Sequence, residues 1–90
     1  MKKGLKAIHA TLAAREQTHG GFTEVAALAG QLIEAMQNAP NWRALPPRQR
    51  AALHQIAFKQ ARILCGDNWF ADHWDDISGY CQLARPDPRN

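Results

Sequence analysis

From Val25 to Met36 the apolar residues Val25, Leu28, Ala29, Leu32, Ile33 and Met36 fall at i, i+3, i+4, i+7 spacing without a miss. That period belongs to a helix with one buried face, because a half-buried strand would alternate every second residue. Thr23 is the expected N-cap of this helix and Glu24 favours its first turn, while Asn38 and Pro40 end it. Gly30 lies inside it at a cost of about 1 kcal/mol relative to Ala, which predicts the close approach of another backbone or of a ligand.

Helical spacing extends to the rest of the chain. A first helix is expected from about Lys3 to Glu16, with a narrow stripe of Leu5, Ile8 and Leu12. Such a helix packs last and frays at its end rich in Lys2, Lys3 and Lys6. A shaped loop through Gln17, Thr18, His19, Gly20, Gly21 and Phe22 follows, its paired glycines permitting positive φ. The connector from Asn38 to Leu45 carries Trp42, an aromatic lid for one end of the core. Pro46 and Pro47 then open a third helix. It runs to Cys65, with Leu53, Ile56, Ala57, Gln60, Ile63 and Leu64 on one face and Gly66 as its stop. A fourth helix, starting between Asp67 and Ala71 and ending near Arg85, is expected to bury Trp74, Ile77, Cys81 and Ala84. Pro86 begins a tail, residues 86–90, expected to be disordered. These readings imply an all-α fold: one domain over residues 1–90, a small antiparallel four-helix bundle whose first helix is loosely packed.

The chain has 90 residues, 46% of them hydrophobic, enough for one modest core. Chains of this size gain from self-association, so a homo-oligomer is an expected partner state. The formal charge of +3 is unevenly spread, with lysines at the start and Asp67, Asp72, Asp75 and Asp76 near the end. Segregated signs argue against nucleic acid, whose binders present a continuous basic face. Cys65 and Cys81 lack a CxxC spacing and sit near apolar residues, as in a reduced, cytoplasmic protein. The basic start merges into an amphipathic pattern unlike an export signal, and no apolar run approaches the roughly 18 residues of a membrane span. His9, His54 and His73 show no zinc-ligand spacing with the cysteines. No P-loop, dinucleotide or GxSxG fingerprint is present.

The polar residues concentrate between Ala57 and Tyr80. Lys59 and Arg62 lie on the edge of the third helix, and Asp72, Asp75 and Asp76 at the start of the fourth, across a turn at Gly66 and Asp67. Asp72 is i, i+3 from Asp75 and i, i+4 from Asp76, where like charges repel unless a cation intervenes. Three readings follow: a solvated helix start favoured by the macrodipole, ion pairs with Lys59 and Arg62, or a hard cation such as Mg²⁺. His19, beside Thr18 and Gly20, is either a turn-holding histidine or a group that contacts a phosphate.

Four strings carry a resemblance that spans most of the chain. They are Arg15-x-x-Thr18-His19-Gly20-x-Phe22, Trp42-x-x-Leu45, Lys59-x-x-Arg62-Ile63-Leu64-x-Gly66-Asp67 and Asp72-His73-Trp74-x-Asp76-Ile77-x-Gly79-Tyr80. Together they resemble a domain family of unassigned activity common in tailed-phage and prophage genomes. A more distant likeness is to the MazG-like all-α nucleotide pyrophosphohydrolases, which hold Mg²⁺ with an ExxE and a later ExxD motif. Asp72-x-x-Asp75-Asp76-Ile77 is similar to the second motif with Asp for Glu. Where the first is expected the chain has Gln31-x-x-Glu34, one carboxylate short.

The resemblance implies a phage protein acting in the host cytoplasm. Its candidate ligand-binding residues are Arg15, Thr18, His19, Lys59, Arg62, Asp72, Asp76 and Tyr80, with Glu34, Asp72 and Asp76 as candidate ligands for Mg²⁺. The leading expectation is a non-catalytic binding module for a nucleotide or other anionic small molecule, or for a host protein. A Mg²⁺-dependent nucleoside triphosphate pyrophosphohydrolase and a structural, oligomer-forming helical protein are the alternatives.

Overall fold

The structure is a computed structural model that describes the backbone of residues 2–87 and the side chains of residues 11–87. The side chains of Leu5, Ile8 and His9, and residues 88–90 of the expected disordered tail, lie outside the described residues. Four α-helices follow one another: α1 (Lys2–His19), α2 (Phe22–Gln37), α3 (Pro47–Cys65) and α4 (Ala71–Ala84), with a 3₁₀ turn at Trp42–Ala44 between α2 and α3. Among the described residues there is no strand. The all-α expectation holds.

The helices do not close into a symmetric bundle. α3 is central, with α2 on one side and α4 on the other, while α1 meets α3 much less extensively. α3 and α4 run antiparallel, since Gln49 Nε2 donates to the Ala84 carbonyl near one end and Lys59 pairs with Asp76 near the other. α1 comes against the end of α3, where the Asp67 amide donates to the Thr18 carbonyl. The molecule measures 55 × 28 × 26 Å, and its radius of gyration is 16.2 Å. A compact chain of this length would have a radius of about 12 Å. The molecule is therefore elongated.

The core is made of small side chains. Val25, Ala29 and Ala61 form its centre, with Leu28, Phe58 and Cys65 packed against it, and Ala52, Ala57 and Ile63 are also buried. Alanine at the points of closest approach lets α2 and α3 come together with little side chain between them. This accounts for a departure from the expected face of α3: Gln60 and Leu64 are exposed, Leu64 to 71%. A helix flanked by two neighbours buries two stripes, and a single apolar face drawn through the larger residues misses the second.

Three further expectations are corrected. α2 begins at Phe22 with Gly21 as its N-cap, so Thr23 lies within the first turn and does not cap. Gly30 is exposed, and a Cβ there would meet nothing within 4 Å, so neither backbone nor ligand approaches it closely. In α4 the inward stripe is His73, Ile77, Tyr80 and Ala84, whereas Trp74 and Cys81 are exposed. Trp74 reaches back so that its indole Nε1 donates to the Asn68 carbonyl at 2.9 Å. Ile77 and Ala84 face inward as expected, whereas His73 and Tyr80 take the places that hydropathy gives to Trp74 and Cys81.

Two substitutions with opposite signs test this packing. Ala61 is fully buried, so Ala61→Leu should overpack the contact between α2 and α3 and lower stability by about 1–3 kcal/mol in urea denaturation. Gly30→Ala, in open space on a helix, should raise it by up to about 1 kcal/mol. Equal effects, or a destabilising Gly30→Ala, would contradict the packing described.

Candidate functional site

Three helix ends meet at one junction, and their sequences explain why they fit. Gly20 leaves α1 with φ +80°, a left-handed conformation suited to glycine, and a Cβ there would approach Cys65 to 2.7 Å. Gly66, just past α3, packs so tightly that a Cβ would collide with the Thr18 carbonyl and the Gly20 nitrogen. Asp67 then shapes the turn into α4, its carboxylate accepting from the Trp69 amide at 2.9 Å. The glycines of the two turns are therefore required by close approach of one backbone to another.

The Thr18 carbonyl lies at the centre of the junction. It is one of the last carbonyls of α1, without a partner in its own helix. Two donors from elsewhere satisfy it: the Asp67 amide at 3.0 Å and the His73 Nε2–H, also at 3.0 Å. Since a carbonyl only accepts, this bond places a proton on His73 Nε2. His73 is 1% exposed, the most buried polar side chain described, and it ties the first turn of α4 to the last turn of α1.

Around that bond three rings pack, two pairs edge to face and the third tilted. His19 and His73 have centroids 4.7 Å apart at 89°, Phe70 and His73 5.0 Å apart at 79°, and His19 lies 5.4 Å from Phe70. The Thr18 hydroxyl donates to the Arg15 carbonyl at 3.2 Å and lies 2.6 Å from His19 Nδ1. The hydroxyl and the imidazole therefore form one hydrogen-bonded pair at the end of α1. Burial first, then the positive charges of Arg15, His73 and Arg62, lowers the His19 pKa from its usual 6.5. His19 is the last residue of α1, one position earlier than a loop histidine would be.

The expected meeting of a basic α3 edge with the acidic start of α4 occurs through one pair. Lys59 Nζ lies 2.9 Å from Asp76 Oδ2, and that hydrogen bond and charge hold the Asp76 carboxyl below its ordinary pKa. Asp76 is largely exposed, so the pair fixes geometry more than it adds stability. Arg62 does not join it. Its side chain instead lines a cleft of about 460 Å³ beside the junction, together with Arg15 and Glu16 of α1, Gly20, and the apolar Leu12, Phe22 and Val25. Arg15 and Arg62 thus bring two guanidinium groups from different helices to one cavity, and Arg62 Nε is buried there without a hydrogen-bond partner. Phe22 is 79% exposed at the rim.

The remaining candidates separate from this group. Tyr80 lines a different groove, between α3 and α4, with Arg48, Ala51, Ala52, Gln55 and Leu83. Asp72 is exposed on the first turn of α4. Glu34 is exposed on α2, and among the described residues no three His, Cys, Asp or Glu side chains gather closely enough to hold a metal ion. Glu34, Asp72 and Asp76 therefore do not form the oxygen-rich group that Mg²⁺ requires. Residues that sequence reasoning passed over include Phe70 and His73 in the junction and Leu12, Glu16 and Val25 in the cleft. The i, i+4, i+7, i+11 spacing of His73, Ile77, Tyr80 and Ala84 is the signal that would have placed His73 inward.

Comparison of the chain with protein-family models, with curated proteins and with solved structures finds no match in any of the three.

The lowered pKa of His19 has a definite consequence for stability. Between its folded pKa and 6.5 the unfolded chain binds the proton more readily than the folded one, so this group makes stability rise with pH through that window and adds no slope above it. The urea midpoint of the wild type should therefore fall relative to His19→Gln as pH drops below 6.5, and the difference between the two should be constant at higher pH. A difference that grows as pH rises would contradict the assignment. Independently, Gly66→Ala should cost about 2 kcal/mol or more by forcing α1 away from the α3 end.

Proposed function

We propose that the protein is a non-catalytic binding module for a nucleotide-like anionic small molecule, held in the cleft between α1, the start of α2 and α3. The observation that carries this reading is the convergence of Arg15 and Arg62 on one cavity whose other walls are Glu16, Gly20 and the apolar Leu12, Phe22 and Val25, so that two guanidinium charges face one carboxylate. Guanidinium groups favour phosphate and carboxylate through paired, charge-assisted N–H donors. Apolar walls beside them suit the flat or hydrophobic part of the same ligand. Lys59 is paired with Asp76, whereas Arg15 and Arg62 both line the cavity. Both charges are thus available to an incoming anion.

The neutral His19 supports the same division of labour. A protonated imidazole here would add to two neighbouring guanidinium charges, and those charges disfavour it. An anion placed among Arg15, Arg62 and His19 would reverse that balance and favour the proton. Ligand binding is therefore expected to raise the His19 pKa and to be tighter at mildly acidic pH.

The hydrolase alternative requires carboxylates that converge on Mg²⁺, and among the described residues no such group gathers. A binding role in a phage-infected or lysogenic host cell accords with the motif resemblance and requires no such convergence.

Calorimetric titration with nucleoside mono-, di- and triphosphates, in EDTA and in Mg²⁺, tests the proposal. Binding is expected in EDTA, and Arg15→Ala or Arg62→Ala should each weaken it about tenfold or more, the usual effect of losing a charged hydrogen-bond donor. No binding across the panel, or full affinity in both variants, would sink the reading. Mg²⁺-dependent release of pyrophosphate would replace it with the enzymatic one.

A further inference from the structure

At the far end of the molecule from the junction, a second cleft of about 310 Å³ is lined by Gln37 at the end of α2, Trp42 of the 3₁₀ turn, and Pro47, Arg50, Ala51 and His54 of α3. Three buried side-chain nitrogens lack a hydrogen-bond partner among the described residues: Arg50 Nε, His54 Nε2 and Arg62 Nε. Two of the three belong to this cleft. Arg50 and His54 are i, i+4 on α3 and so share one face of the helix. Buried polar nitrogens left unpaired are uncommon and destabilising, and here the Arg50 donor lies on the same helix face as the unpaired His54 nitrogen.

The charge around them defines that partner. No Asp or Glu occurs between Glu34 and Asp67, while Arg43, Arg48 and Arg50 cluster around the start of α3. The first turn of α3 carries no acidic residue and opens with Pro47, so its N-terminal dipole is not offset there by a carboxylate side chain. We propose that this cleft is a second binding site, for a small-molecule oxyanion, either a phosphate or a carboxylate. The anion is gripped side-on by Arg50 through Nε–H and a terminal N–H, and by His54 through Nε2–H.

Trp42 covers the site. Its indole stacks on His54 with centroids 5.4 Å apart and planes 10° from parallel. No hydrogen bond anchors the indole among the described residues, so the cover is held by stacking alone. Both unpartnered nitrogens belong to residues that line the cleft beside Trp42. Pro47 and Ala51 leave apolar wall for the carbon skeleton of the ligand. The site shares no lining residue with the cleft of Arg15 and Arg62.

The probes are inorganic phosphate and citrate, titrated against sodium chloride at matched ionic strength. Trp69 and Trp74 are exposed, so the Trp69→Phe, Trp74→Phe double variant leaves Trp42 as the reporting fluorophore. A saturable change in Trp42 emission with phosphate, citrate or both is expected, accompanied by a shift of the His54 ring nitrogens in ¹⁵N NMR. Saturation by one probe alone identifies the chemical source. Arg50→Gln should abolish the response, and Arg50→Lys, which keeps the charge without Nε–H, should weaken it about tenfold. Arg62→Gln should leave it unchanged. A response that matches chloride, or that persists in Arg50→Gln folded by circular dichroism, or full affinity in Arg50→Lys, would overturn the proposal.

Discussion

The Thr18 carbonyl accepts hydrogen bonds from the Asp67 amide and from His73 Nε2–H, and these two bonds join three helices whose ends would otherwise be separate. Helix ends leave carbonyls and amides without partners, and here the last turn of one helix is completed by the turn and first turn of two others. Because His73 is buried and bonded, it acts as a strut between α1 and α4. The glycines on either side exist for the same reason: both Gly20 and Gly66 lie where a side chain would force the backbones apart. A core built largely from alanine contributes modest apolar burial, so a polar junction of this kind carries an unusual share of the task of fixing α1.

The position of α1 in turn decides what the proposed binding cleft can do. Arg15 lies one turn before Thr18, so the junction sets its distance from Arg62 across the cavity. Leu12, a further turn out, supplies part of the apolar wall and stays 53% exposed. The same placement partly buries His19 and brings Arg15, His73 and Arg62 near it, and burial first, then those charges, lowers its pKa. Fold and electrostatics therefore have a common origin in the approach of one helix end to another.

Much of this was legible in the chain. The regular apolar spacing of Val25 to Met36 and the proline pair before α3 give the helices and most of their limits. Lys59 and Asp76, read as facing edges, do form a pair. Other features were hidden for identifiable reasons. His73 scores as polar and Trp74 as apolar, yet burial follows hydrogen-bond opportunity, which depends on a carbonyl 55 residues away. On the helical wheel Arg62 lies one step round from Lys59 on the same edge, and that step of about 60° is enough for it to line the cleft with Arg15 of α1 while Lys59 meets α4. Gly30 carried no hidden contact, since glycine in a helix can be tolerated without a function. The open shape was not legible either, because the period of a helix tells which face is apolar and not how many neighbours cover it.

The central claim is that His73 holds the α1 end through a proton on Nε2. Long-range ¹H–¹⁵N correlation of the histidine rings near neutral pH reads the tautomer directly. The account predicts the Nε2–H form for His73, with a ring proton slow to exchange and lost to fast exchange in Gly66→Ala. An Nδ1–H tautomer, or an Nε2 proton that exchanges as freely as in an exposed histidine, would contradict it.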